Sequence, residues 1–263
     1  MLRFIDTHCH LDGEEFREDH DAVVTRAQEA GVAAIGIPGI DLKSCQTVID
    51  LCHRYPGYCY PMLGLHPEEV RSDWREVLTA IYPVVREAIA IGEVGLDFYW
   101  SREFEQEQLE AFEQQVRWSV ELQLPLMIHC RKAQNEMVSI LKRYKNDLPG
   151  GVFHCFTGNE LEAKELLQFE RFVLGIGGVL TFKKSTLREV VKNAVPLSRI
   201  VLETDSPYMA PVPNRGKRNE SAYVKSVAEI LAEIYDTNFD NIVLQTTKNT
   251  LKVFKKVTFF DKK

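Results

Sequence analysis

Eight short, mostly apolar runs recur along the chain, at residues 3–8 (RFIDTH), 32–37, 59–64, 88–93, 124–129, 151–156, 172–177 and 200–205. Their starts lie 21 to 36 residues apart, room for one strand, one crossover helix and two loops. Near-continuous apolarity is what a strand buried on both faces requires. Between the runs, segments 14–30, 44–54, 74–87, 103–123, 133–146 and 160–169 mix apolar and charged residues at roughly 3.6 spacing, the helical period. In segment 103–123 the predicted inward stripe is Phe104, Leu109, Phe112, Val116 and Val120. The seventh crossover, near 185–194, is short, and segments 221–235 and 240–254 read as closing helices.

Eight strand-helix units in succession predict an α/β chain folded as a single (β/α)8 TIM barrel over residues 1–263, with no linker or low-complexity tract to mark a second domain. An open doubly wound sheet would call for a GxGxxG turn after the first strand. His8-Cys9-His10-Leu11-Asp12 stands there instead.

Barrel enzymes gather their chemistry at the C-terminal ends of the strands. Six residues with metal-binding side chains fall at or just beyond such ends: His8, His10, Glu93, His129, His154 and Asp205. On an extended strand, His8 and His10 point to the same face and can chelate one ion. Glu93 follows Ala88-Ile89-Ala90-Ile91-Gly92, where an ionised carboxylate needs a cation, a partner or a raised pKa. A structural ion pair would also satisfy it, but a carboxylate can bridge two ions more readily than an imidazole can. His129 and His154, on successive strands, form a plausible pair for a second ion, and Asp205 on the last strand should approach His8 and His10 if the barrel closes.

Further candidates surround this set. His66 could contact substrate or cap its loop, and Arg131 suits a phosphate oxygen or an ordinary ion pair at a helix start. Glu203, two residues before Asp205, should share its inward face and orient a ligand. Arg215, Lys217 and Arg218, in the loop 210–220, form a local basic patch for a phosphodiester backbone, although such clusters usually mark a solvated face.

Composition narrows the reading. With 45% apolar and 27% charged residues and a mean hydropathy of -0.20, the chain is ordinary for a water-soluble globular protein. No run approaches the ~20 apolar residues of a membrane span and the N-terminus lacks a signal pattern, so a cytoplasmic location is expected. A net charge of -6 offers no global attraction to nucleic acid, so phosphate recognition would be local. The six cysteines form no CxxC and suit reduced thiols. Cys9, Cys130 and Cys155 each adjoin a histidine, but strand alternation predicts that their thiols face the helix layer.

Taken together, FIDTHCHLD (4–12), GLHP (64–67), AIGEVGLDF (90–98), PLMIHCR (125–131), HCFTG (154–158), LETDSPY (202–208) and RGKRNE (215–220) closely resemble the TatD family of metal-dependent deoxyribonucleases, in family order over nearly the whole chain. The resemblance implies a barrel of the metallo-dependent hydrolase type. In it His8, His10 and Asp205 hold one divalent ion, His129 and His154 a second, and Glu93 bridges them. It also implies hydrolysis of DNA, in some members exonucleolytic from the 3′ end, with DNA as the substrate partner and neither a membrane nor a protein partner. Ser221 departs from the family's usual proline, and 247–254 (TKNTLKVF) departs near the C-terminus, but neither segment touches a ligand.

On this set, metal-bound hydroxide is the expected nucleophile, Asp205 both ligand and proton acceptor, and Glu93 the catalytic bridge, with His66, Arg131, Arg215 and Arg218 orienting the substrate. Four imidazoles suit Zn²⁺, Mn²⁺, Ni²⁺, Co²⁺ or Fe²⁺ in the tight sites, with Mg²⁺ able to support activity from a weaker one. Two alternatives stand beside this reading. The first is an amidohydrolase acting on a small-molecule amide or ester, which often bridges its metals with a carboxylated lysine on strand four, where residues 88–97 have no lysine. The second is a metal-bound binding protein without turnover.

Overall fold

In a computed structural model, which describes residues 3–258, eight parallel strands follow one another around a single sheet in chain order. They are β1 (Phe4–Asp6), β2 (Val32–Pro38), β3 (Cys59–Leu63), β4 (Ala90–Asp97), β5 (Leu126–Arg131), β6 (Gly151–Phe153), β7 (Phe172–Ile176) and β8 (Ile200–Leu202). The ends of the sheet meet. The Thr7 N–H donates to the Leu202 carbonyl at 3.0 Å, the Asp205 N–H to the His8 carbonyl at 2.9 Å, and Cys9 and Ser206 form a parallel bridge. The (β/α)8 barrel expected from the eight apolar runs is therefore the observed architecture.

The outer layer consists of α1 (His20–Glu29), α2 (Leu42–Arg54), α3 (Trp74–Ile81), α4 (Glu105–Leu122), α5 (Gln134–Arg143), α6 (Glu160–Leu166), α7 (Leu187–Ala194), α8 (Val224–Ile234) and α9 (Phe239–Val253). A capping box starts α2: Asp41 accepts the Ser44 N–H and the Ser44 hydroxyl accepts the Asp41 N–H. Most predicted helices are shorter at their ends than their periodicity suggested, and in some of them part of the segment is 3₁₀ instead. Residues 14–30 begin with a 3₁₀ turn (Glu14–Phe16) before α1, and α3 gives way to 3₁₀ structure (Tyr82–Glu87), where Pro83 has no N–H to continue the α ladder. In α4, Phe112 and Val116 of the expected stripe are buried, while Phe104, Leu109 and Val120 pack at its margin.

Two apolar cores follow from strand alternation. One lies between strands and helices. The other fills the barrel with Ile5, Ala34, Tyr60, Ala90, Met127, Val152, Val173 and Val201, roughly one residue per strand, and is closed from below by Val253, Phe254 and Val257 at the end of α9. Asn249 on α9 ties this plug to the barrel by donating to the Leu197 and Ile200 carbonyls. No helix among the described residues is long and apolar enough to cross a membrane.

Candidate metal centre

The inner core sets the parity of the residues above it. Moving two positions toward the C-terminal mouth from Met127, Val152 and Val201 gives His129, His154 and Glu203, so these side chains enter the mouth because the residues below them fill the barrel. Strand β4 would break this rule. Ala90 is interior, so strict alternation would send Gly92 and Val94 inward and Glu93 out. Instead the β4/β5 register slips between Ile91 and Val94: Ile91 opposes Leu126, but Val94 opposes Ile128. This bulge reverses the parity, placing Val94 in the outer core and turning Glu93 inward. Glu93 is thus a mid-strand residue rather than the strand terminus expected from its apolar run. The terminus is Asp97, whose carboxylate also reaches the mouth.

The end of β1 is handled differently. The Asp6 carboxylate accepts the His8 N–H at 3.3 Å and, from the far end of the chain, the Thr204 N–H at 2.9 Å and hydroxyl at 2.7 Å. That local turn redirects the chain after Ile5, and His8 and His10 share one face as expected, with Cys9 between them in the outer core. The predicted orientation fails at Cys155. It has φ +47°, not an extended value, so alternation ends at His154 and the thiol lies within 4.8 Å of ligand atoms of His154 and Glu203. Asp205, two residues beyond Glu203, also sits in the left-handed region at φ +56°, which aspartate tolerates better than most side chains.

These backbone devices converge on Glu93. Its Oε2 lies 3.2 Å from His8 Nε2 and 3.5 Å from His10 Nε2, and its Oε1 lies 3.0 Å from His129 Nδ1, 3.4 Å from His66 Nε2 and 3.8 Å from His154 Nε2. His8 Nε2 and His10 Nε2 are 3.2 Å apart. Asp205 Oδ1 stands 3.9 Å from His8, 3.8 Å from His10 and 3.6 Å from His154 Nε2. His154 is the least partitioned of the set: its ring stacks on His8 with centroids 3.5 Å apart, so it adjoins both groups of imidazoles.

The donor set fits divalent ions on geometry as well as chemistry. Two donors bonded to one ion at about 2.1 Å stand ~3.0 Å apart at an octahedral angle and ~3.4 Å apart at a tetrahedral one. The His8, His10 and Glu93 separations match that range, with Asp205 slightly outside it. Imidazole lone pairs this close together, around a fully buried carboxylate, are an arrangement a cation stabilises.

Comparison with known proteins agrees with this geometry. The family model for TatD-related DNases matches residues 5–255. The chain belongs to the TatD family. Among its relatives are an uncharacterized metal-dependent hydrolase of Bacillus subtilis, 36% identical over 252 residues and covering 95% of this chain and 98% of the relative, and the 3′-5′ ssDNA/RNA exonuclease TatD of Klebsiella pneumoniae, 35% identical over 256 residues and covering 95% and 97%. A crystal structure of a TatD homologue from Escherichia coli K12 superposes with a TM-score of 0.87 at 31% identity, covering 97% of this chain and 98% of that one. The protein is a TatD-family hydrolase whose fold places a buried histidine and carboxylate cluster at the barrel mouth.

Charge within this TatD-family cluster is strongly redistributed. Burial alone would raise Glu93, but His8, His66, His154 and His129 around it hold it well below the usual carboxylate range. Burial pushes His8 down, with His154 adding to the effect, and lowers His10 to about 4. Burial would also lower His129 and His154, but carboxylates prevail: Asp97 and Glu93 raise His129 to about 9, and Glu203, Asp205 and Glu93 raise His154 to about 10. Asp205 is raised to about 7, chiefly by burial.

The surrounding residues divide into supports and free groups. Glu203 accepts the Cys155 N–H at 2.6 Å and faces His154 Nδ1 at 3.2 Å, the orienting place expected for it, and Gly175 makes room, since a Cβ there would run into the Glu203 carboxylate. His66 takes the capping role: Nδ1 accepts the Glu68 N–H at 3.1 Å, while Nε2 lies 3.4 Å from Glu93 Oε1. Among the described residues Arg131 has no ion-pair partner at the helix start; its guanidinium lies 3.7 Å from the centroid of Tyr99. Arg215 stacks on Phe182 at the same distance. Arg218 differs from expectation. It holds Asp19 through two bonds of 2.8 and 2.7 Å, donates to the Glu15 carbonyl and lies over Phe16, so its charge is committed to the start of α1.

Sequence reasoning missed Asp97, Gln108 and Gln115. Asp97 Oδ2 faces His129 Nε2 at 2.9 Å and Oδ1 accepts the Tyr99 N–H at 2.8 Å. The buried amides of α4 complete the strand ends: Gln115 pairs with both the N–H and the carbonyl of Leu65, and Gln108 with those of Asp97. A signal was present for the glutamines, because both lie seven residues apart on the inward side of an amphipathic helix.

Proposed function

We propose that this TatD-family hydrolase cleaves phosphodiester bonds of single-stranded DNA, exonucleolytically from the 3′ end, with two divalent ions at the barrel mouth. The observation that carries the reading is Glu93, whose two oxygens face different imidazole sets. His8, His10 and Asp205 would hold one ion, His129 and His154 the other, and Glu93 would join them. The ions would polarise phosphoryl oxygens and lower the pKa of water. The nitrogen-rich set favours Zn²⁺, Mn²⁺, Ni²⁺ or Fe²⁺ over Mg²⁺ for tight binding. The 35% identical Klebsiella relative, a 3′-5′ ssDNA/RNA exonuclease, supports substrate and polarity.

The chain's own groups supply the rest. Asp205, whose Oδ1 stands 3.6 to 3.9 Å from His154, His10 and His8, is placed to take a proton from the attacking water. Asp97 and Glu203 keep His129 and His154 in orientation from behind. Arg131, His66 and Arg215 would orient the phosphate, since a guanidinium can hold a phosphate oxygen. The test is digestion of 3′- and 5′-labelled single-stranded DNA by metal-reconstituted protein, with Asp205→Asn as control. Stepwise shortening from the 3′ end is expected. If wild type forms no more product than the control in Mn²⁺ and in Mg²⁺, the nuclease reading is wrong.

A further inference from the structure

Eight large apolar side chains are exposed among the described residues, and five of them, Tyr99, Trp100, Tyr208, Met209 and Val212, lie in the loops after β4 and β8. Strands four and eight face each other across an eight-strand ring, so this apolar surface flanks the metal centre on two opposite sides. Trp100 is 66% exposed and Tyr99 50%. Aromatic rings bury large areas when they find a partner, and exposed clusters of them mark binding surfaces.

The Tyr99–Trp100 pair is held in place rather than loosely displayed. Its rings meet edge to face at 4.9 Å, and the Arg131 guanidinium lies 3.7 Å from the Tyr99 centroid and 5.1 Å from that of Trp100. The Tyr99 N–H donates to Asp97, whose other oxygen faces His129. The platform is therefore one residue removed from a support of the metal centre, and carries a cation beside two π faces. That combination recognises a flat aromatic ring next to an anion.

We infer that Trp100, with Tyr99 and Arg131, is a stacking platform for an unpaired nucleobase beside the phosphate being cut. A paired base is held in the duplex stack by its partner and neighbours, whereas an unpaired base can swing out and lay a face on Trp100, so the platform favours unpaired ends. Stacking on an aromatic side chain tolerates any base, because every base has a π face. The inference rests on the phosphodiesterase reading for its substrate, but it can fail independently.

The test compares Trp100→Ala and Trp100→Phe with wild type on two single-stranded oligonucleotides of equal length and charge, one with bases and one with abasic sites at the three 3′-terminal positions. Wild type should show a lower KM for the base-bearing strand. Trp100→Ala should remove that advantage, a change of roughly 5- to 100-fold as expected for one stacked base, and Trp100→Phe should restore most of it. Tryptophan fluorescence of wild type should be quenched by the base-bearing strand and far less by the abasic one. If neither strand is cut but the selective quench persists, the nuclease reading fails and the platform stands. If Trp100→Ala changes both strands equally, or neither, or if it converts a wild-type dimer to a monomer in sedimentation, the platform is wrong.

Discussion

His129 is held between two carboxylates: Nδ1 lies 3.0 Å from Glu93 Oε1, and Nε2 lies 2.9 Å from Asp97 Oδ2. One nitrogen therefore faces the centre while the other is fixed from behind, an arrangement that sets ring orientation and raises ligand basicity. Gly95 lets β4 and β5 approach closely enough for this, since a Cβ there would run into the His129 carbonyl.

Asp97→Asn should weaken binding of one metal equivalent by roughly 10- to 100-fold while leaving the other nearly unchanged. Asparagine keeps an oxygen for the Tyr99 N–H, so the loop should stay folded. Metal titration followed by calorimetry reads this directly, and an equal loss at both sites would contradict the placement of Asp97 behind His129 alone.

Glu93→Gln should reduce bound metal from two equivalents toward one and lower turnover by at least 10²–10³-fold, because a neutral amide with one oxygen cannot serve both imidazole sets. Elemental analysis after dialysis gives the stoichiometry. Retention of two tight ions would remove Glu93 from its bridging place.

The pH dependence should have opposite signs with and without metal. Without metal, His129 and His154 titrate at about 9 and about 10 in the folded chain, against 6.5 for free histidine. Raised histidine pKa values contribute stability that is complete below about pH 6.5 and is lost as pH rises through 9 and 10. Metal requires these imidazoles neutral, so it displaces their protons and binds more tightly as pH rises. The gap in Tm between metal-loaded and metal-free protein should widen from pH 6.5 to 9. Calorimetry in buffers of different ionisation enthalpy should show proton release, and a constant gap would overturn this account.

Arg131 and Arg218 should separate binding from stability. Arg131→Ala should raise KM for single-stranded DNA and reduce the dependence of log affinity on log salt by about 0.7, the share of one phosphate contact on a single strand. Arg218→Ala should leave that slope unchanged and lower stability by about 1 kcal/mol through loss of its paired bonds to Asp19. A salt-dependent loss of affinity in Arg218→Ala would return it to the substrate-binding set.

What the sequence determined by itself is the periodic skeleton and most of the side chains that gather at the barrel mouth. Apolar runs of strand length at regular spacing can be buried on both faces only in a parallel sheet wrapped by helices, and two-residue alternation carries Met127, Val152 and Val201 up to His129, His154 and Glu203. Local pattern sufficed there because the backbone stays extended. Tertiary structure decided everything that depends on a departure from the extended chain or on a distant partner. The bulge that turns Glu93 inward, the left-handed turns at Cys155 and Asp205, the Asp97 carboxylate behind His129 and the capture of Arg218 by Asp19 are of this kind. Parity is a local property that one inserted residue reverses, and a charged side chain takes whichever partner the folded chain brings within reach, however far away that partner lies in sequence.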